Sequence, residues 1–207
     1  MNERELDLFV YWAQEAVKSG LLKCSSGNLS NRLDDGTMLI SGTGSWLGNI
    51  DRESIAQLNI ESEALTGTVK PSAEYRFHRQ ILRQRKDINT ILHFQAPSAT
   101  TIACMGKKPD YNVIIEVPIY IGHVGYVPFL PPGSAELADA VAKLALNADC
   151  IQLANHGQVV CGKDYKDAVQ KAVFFELACS ILLVSNFKAK TIPEENIALL
   201  REYTRKK

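Results

Sequence analysis

One hairpin signal limits the possible folds of this chain more than any other stretch. Two short runs with the composition of β-strands, Asn28 to Arg32 and Thr37 to Ser41, are separated by Asp34-Asp35-Gly36. Aspartate and glycine tolerate the backbone conformations that tight hairpin turns require, so the stretch predicts two antiparallel strands. The chain is therefore expected to contain a sheet that is antiparallel at least in part.

The rest of the chain mixes helix and strand patterns without a regular strand–helix–strand rhythm. Helices are predicted over 4–18, 72–85, 97–104, 135–146, 165–184 and 193–203, and further strands over 54–60, 87–93, 113–118, 126–129, 150–154 and 159–161. With 207 residues, 46% of them hydrophobic, the chain is long enough for one sizeable core. We expect a single α/β domain over 1–207, with a mixed or mostly antiparallel central sheet flanked by helices.

Charge and cysteine content exclude several classes of protein. The 23 lysines and arginines balance 23 aspartates and glutamates, whereas nucleic-acid and acidic-membrane binders carry a basic excess. No uncharged apolar stretch reaches the length of about 18 residues that a membrane span needs. The first 20 residues lack the pattern of a signal peptide, and the five cysteines show no CxxC spacing. Reduced thiols and a cytoplasmic location are expected.

Polar residues at the predicted strand ends are candidates for chemistry. His93 and His156 both follow apolar strand-like runs, and strand ends hold functional side chains rigidly. Because side chains alternate along a strand, His93 and Gln95 should share one face while Phe94 enters the core. Taken alone, each histidine is more often a hydrogen-bonded structural residue than a metal ligand.

Two further groups of polar residues are compatible with both functional and structural roles. Glu74 lies in the first turn of a predicted helix, where the helix dipole favours a carboxylate, and His78, one turn later, fits a packing or hydrogen-bonding role. Three polar turns could bind anions through hydroxyls and backbone N–H groups. They are Ser26-Gly27-Asn28, Thr43-Gly44-Ser45 and Lys70-Pro71-Ser72, the last with Ser72 as the expected helix N-cap. None matches a Walker or dinucleotide motif.

Taken in order, these stretches resemble the class II aldolase/adducin family. The matching segments are SSGNLSNR (25–32), LISGTG (39–44), KPSAEYRFH (70–78), INTILHFQAPSAT (88–100), PPGSAELADAVA (131–142) and LANHGQVVCGKDYKDAVQKAVFFELA (153–178). The resemblance covers nearly the whole chain and implies the three-layer fold of that family. It also implies a metal-dependent enzyme that acts on a sugar phosphate.

Within the family, the PSAEYRFH form is similar to bacterial aldolases of fucose catabolism. These split L-fuculose 1-phosphate into dihydroxyacetone phosphate and L-lactaldehyde through a metal-stabilised enediolate. The similarity implies a Zn²⁺ cofactor and a cyclic homotetramer with active sites between subunits.

Residue roles follow from the same resemblance. His93 and His156 match zinc-binding histidines, and Glu74 matches the carboxylate that binds the metal and serves as acid and base. Tyr203 matches a tyrosine that these aldolases carry in a mobile C-terminal tail. The phosphate-binding positions correspond to Asn28, Thr43, Gly44 and Ser72.

Three positions depart from the family pattern. Gln95 stands where a third histidine ligand is usual, and Ala73 replaces a serine of the phosphate site. Val113 falls nearest the tyrosine that a neighbouring subunit lends as an acid, which leaves Tyr111 and Tyr120 as candidates. Gln95 either binds the metal through its amide oxygen or leaves a gap for water. An amide oxygen suits Mn²⁺ or Mg²⁺ better than Zn²⁺, so we expect a weaker or less selective metal site.

Rival interpretations remain open at this stage. A methylthioribulose-phosphate dehydratase can carry the same Pro-Ser-Ala-Glu stretch, whereas pentulose-phosphate 4-epimerases usually have aspartate at the position of Glu74. A non-catalytic, adducin-like binding domain would lose ligand histidines, and Gln95 is one step in that direction. The retention of Glu74, His93 and His156 favours an enzyme.

Overall fold

The central sheet is mostly antiparallel, as the sequence predicts. The computed structural model describes residues 3–205, with side chains up to residue 202. Its strands are β1 (Asn28–Arg32), β2 (Thr37–Ser41), β3 (Ile55–Asn59), β4 (Leu65–Thr66), β5 (Thr90–Phe94), β6 (Val124–Val127), β7 (Cys150–Leu153) and β8 (Gly157–Gly162). Within the described residues they form one sheet in the order β4-β3-β2-β1-β5-β8-β7-β6. All neighbours are antiparallel except β6 and β7.

Helices cover both faces of this sheet, which gives three layers. They are α1 (Glu3–Lys18), α2 (Tyr75–Gln84), α3 (Pro97–Cys104), α4 (Ala135–Leu144), α5 (Tyr165–Val184) and α6 (Glu194–Arg205). Side chains of α1, α3 and α5 form one core with Leu92 and Phe94. Those of α2 and α4 form the other core with Ile91. The alternation along β5 therefore sends Phe94 into the core, and the predicted three-layer fold is confirmed.

Local sequence signals account for several helix ends. The hydroxyl of Ser134 accepts a hydrogen bond from the N–H of Leu137 at 3.1 Å, which caps α4. The carboxylate of Asp164 accepts one from Asp167 at 2.8 Å and caps α5. Pro97 occupies the first turn of α3, where its missing N–H costs nothing. These three helices begin where the sequence predicts.

The prediction of a strand over 113–118 is wrong. The segment Val117–Ile121 forms a short π-helical turn instead, with Val117 and Ile121 buried in the core beside α5. Pro118 has no N–H to donate to a strand ladder, so a strand through this position would lose a hydrogen bond. The apolar run of this segment supports burial without specifying an extended backbone.

The start of α2 also differs from the prediction, because the helix begins at Tyr75 and its N-cap is Glu74 rather than Ser72. The Ser72 hydroxyl accepts a 3.3 Å hydrogen bond from the Glu74 N–H, and its carbonyl accepts one from Tyr75 at 3.0 Å. Ser72 thus forms a turn that leads into the helix. As a result, Glu74 lies at the helix entrance and not inside its first turn.

Two composition-based expectations can be compared with the fold. Cys150, Cys161 and Cys179 are buried, whereas Cys24 and Cys104 are exposed, and all five are free thiols. The prediction that most of the cysteines fill the core is confirmed by the three buried ones. Within residues 3–205, no helix is both long enough and apolar enough to cross a bilayer.

Candidate metal and phosphate site

One cavity of about 340 Å³ gathers the residues that the resemblance marks as functional. Because neighbouring strands are antiparallel, the start of β1 lies beside the ends of β2 and β5, and Asn28 pairs with His93. The loop between β7 and β8 brings His156 to the same edge. The cavity is lined by every residue predicted to bind metal or phosphate, namely Asn28, Thr43, Gly44, Ser72, Glu74, His93, Gln95 and His156.

A carboxylate and two imidazoles converge in this cavity. Nε2 of His93 lies 3.3 Å from Oε2 of Glu74, and Nε2 of His156 lies 3.4 Å from Oε1. One ligand atom from each of the three residues falls within 4.8 Å of the others. Glu74 and His93 are almost fully buried. Two imidazole nitrogens and a carboxylate form a donor set typical of zinc and related divalent cations.

The hydrogen bonds of His93 fit a bound cation. Its Nδ1 lies 2.9 Å from the carbonyl oxygen of Gln158. A carbonyl only accepts, so Nδ1 carries the proton, and in the neutral ring Nε2 presents a lone pair to the cavity. That lone pair faces the Oε2 acceptor of Glu74 at 3.3 Å, an arrangement that a cation between the two atoms would stabilise. Oε1 of Glu74, buried and without a hydrogen-bond partner, fits the same interpretation.

His156 is the more accessible of the two histidines. Burial lowers its pKa below the ordinary value and His93 lowers it further, while Glu74 works in the opposite direction. A lowered pKa keeps the imidazole neutral near pH 7, which is the form that binds metal. The ring of His156 meets that of His93 edge-on, with ring centres 4.8 Å apart.

The polar turns on the other side of the cavity are fixed by backbone hydrogen bonds. The Thr43 N–H donates to the Lys70 carbonyl at 2.9 Å, and the Ser72 N–H donates to Ser41 at 3.0 Å. These N–H groups are already used, whereas the Thr43 hydroxyl and the proton of the Ser72 hydroxyl, whose oxygen accepts from the Glu74 N–H, remain for a ligand. The N-terminus of α2 opens beside them, and helix N-termini favour phosphate. The turns are therefore held in place before any anion binds.

Sequence reasoning did not foresee the close backbone contacts of two glycines beside the metal group. A Cβ on Gly157 would lie 2.5 Å from the Phe94 carbonyl oxygen and 2.8 Å from Cγ of Gln95. A Cβ on Gly27 would lie 2.4 Å from the carbonyl oxygen of His93, and its φ is 108°. The dipeptide His156-Gly157 at a strand end was the available signal. Both glycines let neighbouring backbones approach the ligand residues closely.

The candidate proton donors lie elsewhere. Tyr111 is buried against Phe175, with ring centres 4.9 Å apart, and lines a separate cavity of about 390 Å³. Burial raises its pKa above the ordinary value. Tyr120 is exposed on the π-helical turn, and Val113 packs partly buried against the core. Tyr203 belongs to α6, but its side chain lies outside the described residues.

His78 has the hydrogen-bonding role that the sequence favours. It is completely buried in α2, and its ring nitrogens contact Ser30 Oγ at 2.7 Å and Asn28 Oδ1 at 2.5 Å. Burial, reinforced by His93, lowers the pKa of His78 well below the ordinary value. His78 is therefore neutral and lies behind the metal group, not in it.

Comparisons with known proteins agree with this geometry. The family model described as Class II Aldolase and Adducin N-terminal domain matches residues 7–183. The 3-oxo-tetronate 4-phosphate decarboxylase of Pectobacterium atrosepticum is 35% identical over 181 residues, which cover 85% of this chain and 83% of the relative. The L-fuculose phosphate aldolase of Methanocaldococcus jannaschii is 33% identical over 161 residues, which cover 78% of this chain and 86% of the relative.

A solved structure has the same fold. The crystal structure of YgbL from Escherichia coli superimposes with a TM-score of 0.88 at 28% identity. The match covers 96% of this chain and 98% of that one. The arrangement of sheet and helices around the cavity is therefore shared over essentially the full length of both chains.

Proposed function

This chain belongs to the class II aldolase and adducin family, and from that premise we propose that it is a metal-dependent carbon–carbon lyase that releases dihydroxyacetone phosphate. The observation that carries the proposal is the convergence of His93, His156 and Glu74 in one cavity with polar turns suited to phosphate. Both named relatives break a carbon–carbon bond of a phosphorylated substrate. An enzyme is therefore favoured over a non-catalytic binding domain.

His93, His156 and Glu74 would hold the cation, with Gln95 as a fourth, oxygen ligand. When bound, a divalent cation supplies the Lewis acid that stabilises the enediolate oxygens. Two imidazoles favour Zn²⁺, whereas the amide oxygen of Gln95 favours Mn²⁺ or Mg²⁺. Zn²⁺ remains our first choice, because nitrogen donors outnumber the amide.

The phosphate would lie between the polar turns and the start of α2. Thr43 and Ser72 would donate through their hydroxyls, and Gly44 lets the chain approach closely. Asn28 lines the same cavity and donates a 3.1 Å hydrogen bond to Glu74, so it would contact the substrate close to that carboxylate. Binding a distant phosphate in this way holds the reacting atoms in register.

Glu74 would move the proton on the substrate carbon, since it lines the cavity and its Oε1 accepts no hydrogen bond. Of the tyrosines proposed as further acids, Tyr111 and Tyr120 are candidates for the one that a neighbouring subunit of a homotetramer would lend, and Tyr203 would act from a C-terminal tail that closes over the site. Tyr120 is the better placed of the first two, because it is exposed whereas Tyr111 is buried in its own chain.

Two substrates of this chemistry lead to the same product. Loss of CO₂ from 3-oxo-tetronate 4-phosphate leaves the enediolate of dihydroxyacetone phosphate, which then takes up a proton on carbon. Cleavage of L-fuculose 1-phosphate leaves the same enediolate and L-lactaldehyde. In each substrate a carbonyl lies between the phosphate-bearing carbon and the bond that breaks.

The cavity favours decarboxylation as the first candidate. Aldol cleavage requires one group to remove a proton from the hydroxyl of the leaving aldehyde and another to protonate the enediolate. Decarboxylation requires only the second group, because CO₂ leaves without a hydroxyl proton. Among the described residues of one chain that line the cavity, Glu74 is the only titratable side chain besides the two histidines. Aldol cleavage would therefore depend on a tyrosine of the neighbouring subunit, whereas decarboxylation would not. L-Fuculose 1-phosphate cleavage is the second candidate, supported by the aldolase relative.

The test is to supply each substrate and detect dihydroxyacetone phosphate with a coupled NADH-dependent reductase. We expect turnover of the 3-oxo acid phosphate above its spontaneous decay, and its loss in Glu74→Gln. Glu53→Gln, an exposed carboxylate on the surface, is the matched control and should keep wild-type activity. Turnover of L-fuculose 1-phosphate alone would reverse the order of the candidates, and product from neither would refute the proposal.

A further inference from the structure

A continuous chain of hydrogen bonds runs from the protein interior to Glu74. Ser30 Oγ lies 2.7 Å from Nδ1 of His78, and Nε2 of His78 lies 2.5 Å from Oδ1 of Asn28. The amide nitrogen of Asn28 then donates to Oε2 of Glu74 at 3.1 Å. All four residues are buried, and Ser30 and His78 are completely so. The chain links β1, α2 and the residue that opens α2.

Elementary hydrogen-bond chemistry fixes the direction of this chain. An amide oxygen only accepts, so Nε2 of His78 must donate to Asn28. The neutral ring then accepts at Nδ1, and the Ser30 hydroxyl donates to it. With its oxygen held by His78, Asn28 can present only its NH₂ group to Glu74. The opposite amide orientation would place two acceptor oxygens against each other.

The two oxygens of Glu74 consequently differ. Oε2 receives the Asn28 hydrogen bond and lies 3.3 Å from Nε2 of His93. Oε1 is buried, accepts no hydrogen bond and lies 3.4 Å from Nε2 of His156. One oxygen is anchored, and the other is available to a cation or a substrate proton.

We propose that His78 is a positioning residue that acts through Asn28 to anchor Oε2 of Glu74 and leave Oε1 free for chemistry. The inference rests on the proposed function for its kinetic consequences. It also limits the role of Asn28, because its oxygen and one of its N–H bonds are already used. Only the second N–H of Asn28 remains for the substrate.

A double-mutant cycle tests this coupling. His78→Phe removes both ring nitrogens and keeps a flat ring of similar size, and Asn28→Ala removes the intermediary. We expect His78→Phe to lower kcat about 10–100-fold with a smaller change in KM, as for other residues that orient a metal ligand. In the Asn28→Ala background the same substitution should change kcat less than twofold. Equal losses in both backgrounds would overturn the proposal.

Further variants separate positioning from general damage to the core. His78→Gln keeps an N–H donor and should recover part of kcat, whereas a packing role would not distinguish it from other replacements. Thr90→Val is the matched control, since it removes a buried hydroxyl that donates to Asn31 at 2.6 Å in the same pair of strands. It should leave kcat unchanged. If His78→Phe does not fold, Ser30→Ala carries the same cycle with a smaller expected loss.

Cobalt binding provides a readout that does not depend on turnover. The absorption of Co²⁺ titrated into each variant reports affinity and ligand geometry at the metal group. We expect weaker Co²⁺ binding in His78→Phe only when Asn28 is present. A wild-type protein that binds Co²⁺ but turns over neither substrate would refute the proposed function. The positioning role of His78 would then be tested by the double-mutant cycle with Co²⁺ affinity as the readout. If the protein turns over substrate but the kcat losses of His78→Phe and Asn28→Ala are additive, the positioning role of His78 is refuted and the proposed function stands.

Discussion

Replacing Gly157 with alanine should damage the metal group through the backbone. Gly157 opens β8, and an added Cβ would lie 2.5 Å from the Phe94 carbonyl oxygen, 2.8 Å from Cγ of Gln95 and 3.2 Å from Cε1 of His93. The first of these is a backbone atom that cannot move without shifting β5. His93 and Gln95 lie on that strand or directly after it, so the strain falls on the ligands.

The magnitude follows from overpacking. Forcing one extra carbon into a close-packed site costs about 1–3 kcal/mol. For a chain of this size, each kcal/mol lowers Tm by about 2–4 °C, so a fall of about 2–12 °C is expected. A ligand misplaced by a few tenths of an ångström should also weaken metal binding about 10–100-fold. Each tenfold loss in affinity corresponds to about 1.4 kcal/mol of binding free energy.

The measurement is thermal unfolding without metal, followed by Co²⁺ or Zn²⁺ titration of the folded protein. Gly125→Ala is the matched control, because its added Cβ would meet only side-chain atoms of Ile151 and Leu144 at 3.3–3.4 Å, far from the metal group. We expect it to cost less than about 1 kcal/mol and to leave metal affinity unchanged. Wild-type metal affinity in Gly157→Ala would refute the reasoning, whatever happens to Tm.

Four other substitutions test three further expectations. Gln95→His should raise Zn²⁺ affinity about tenfold relative to Mn²⁺, measured by competitive titration, if the amide is a ligand; an unchanged ratio would remove Gln95 from the site. Tyr120→Phe should lower kcat for L-fuculose 1-phosphate cleavage about 100-fold while Tyr111→Phe leaves it unchanged; the reverse result would assign the hydroxyl proton to the buried tyrosine. Burial works to lower the pKa of Lys171, but its aspartate partners more than offset this, so the folded pKa lies above 10.5. Its contribution to stability is complete below pH 10.5 and disappears as pH rises through the folded value; urea unfolding of Lys171→Met should lack this loss.

Much of the fold could be predicted from local patterns. The hairpin of β1 and β2 has the predicted bounds, because Asp34-Asp35-Gly36 specifies a tight turn and the flanking runs suit strands. The helix α5 also has its predicted bounds, since Asp164 is a strong N-cap. The segment 113–118 could not be predicted in this way. Its apolar residues report burial, but the π-helical turn depends on what Val117 and Ile121 pack against.

The candidate site divides differently. The family resemblance supplied the residues, and the cavity contains all eight that were predicted to bind metal or phosphate. It did not explain why glycine is required at position 157, because that requirement comes from the close approach of the Phe94 carbonyl on the neighbouring strand. It also did not distinguish the tyrosines, since the burial of Tyr111 depends on Phe175, which lies 64 positions further along the chain.

The sequence by itself determined the class of fold, the ligand types and their order along the chain, because turns, caps and motif residues act over short distances. Only the tertiary structure decided how those groups are protonated and aimed. The proton on Nδ1 of His93 is fixed by the Gln158 carbonyl, and the amide of Asn28 is oriented by His78 in another element. Such hydrogen bonds join residues far apart in sequence. Which atom donates and which accepts is therefore decided only when the strands and α2 pack together.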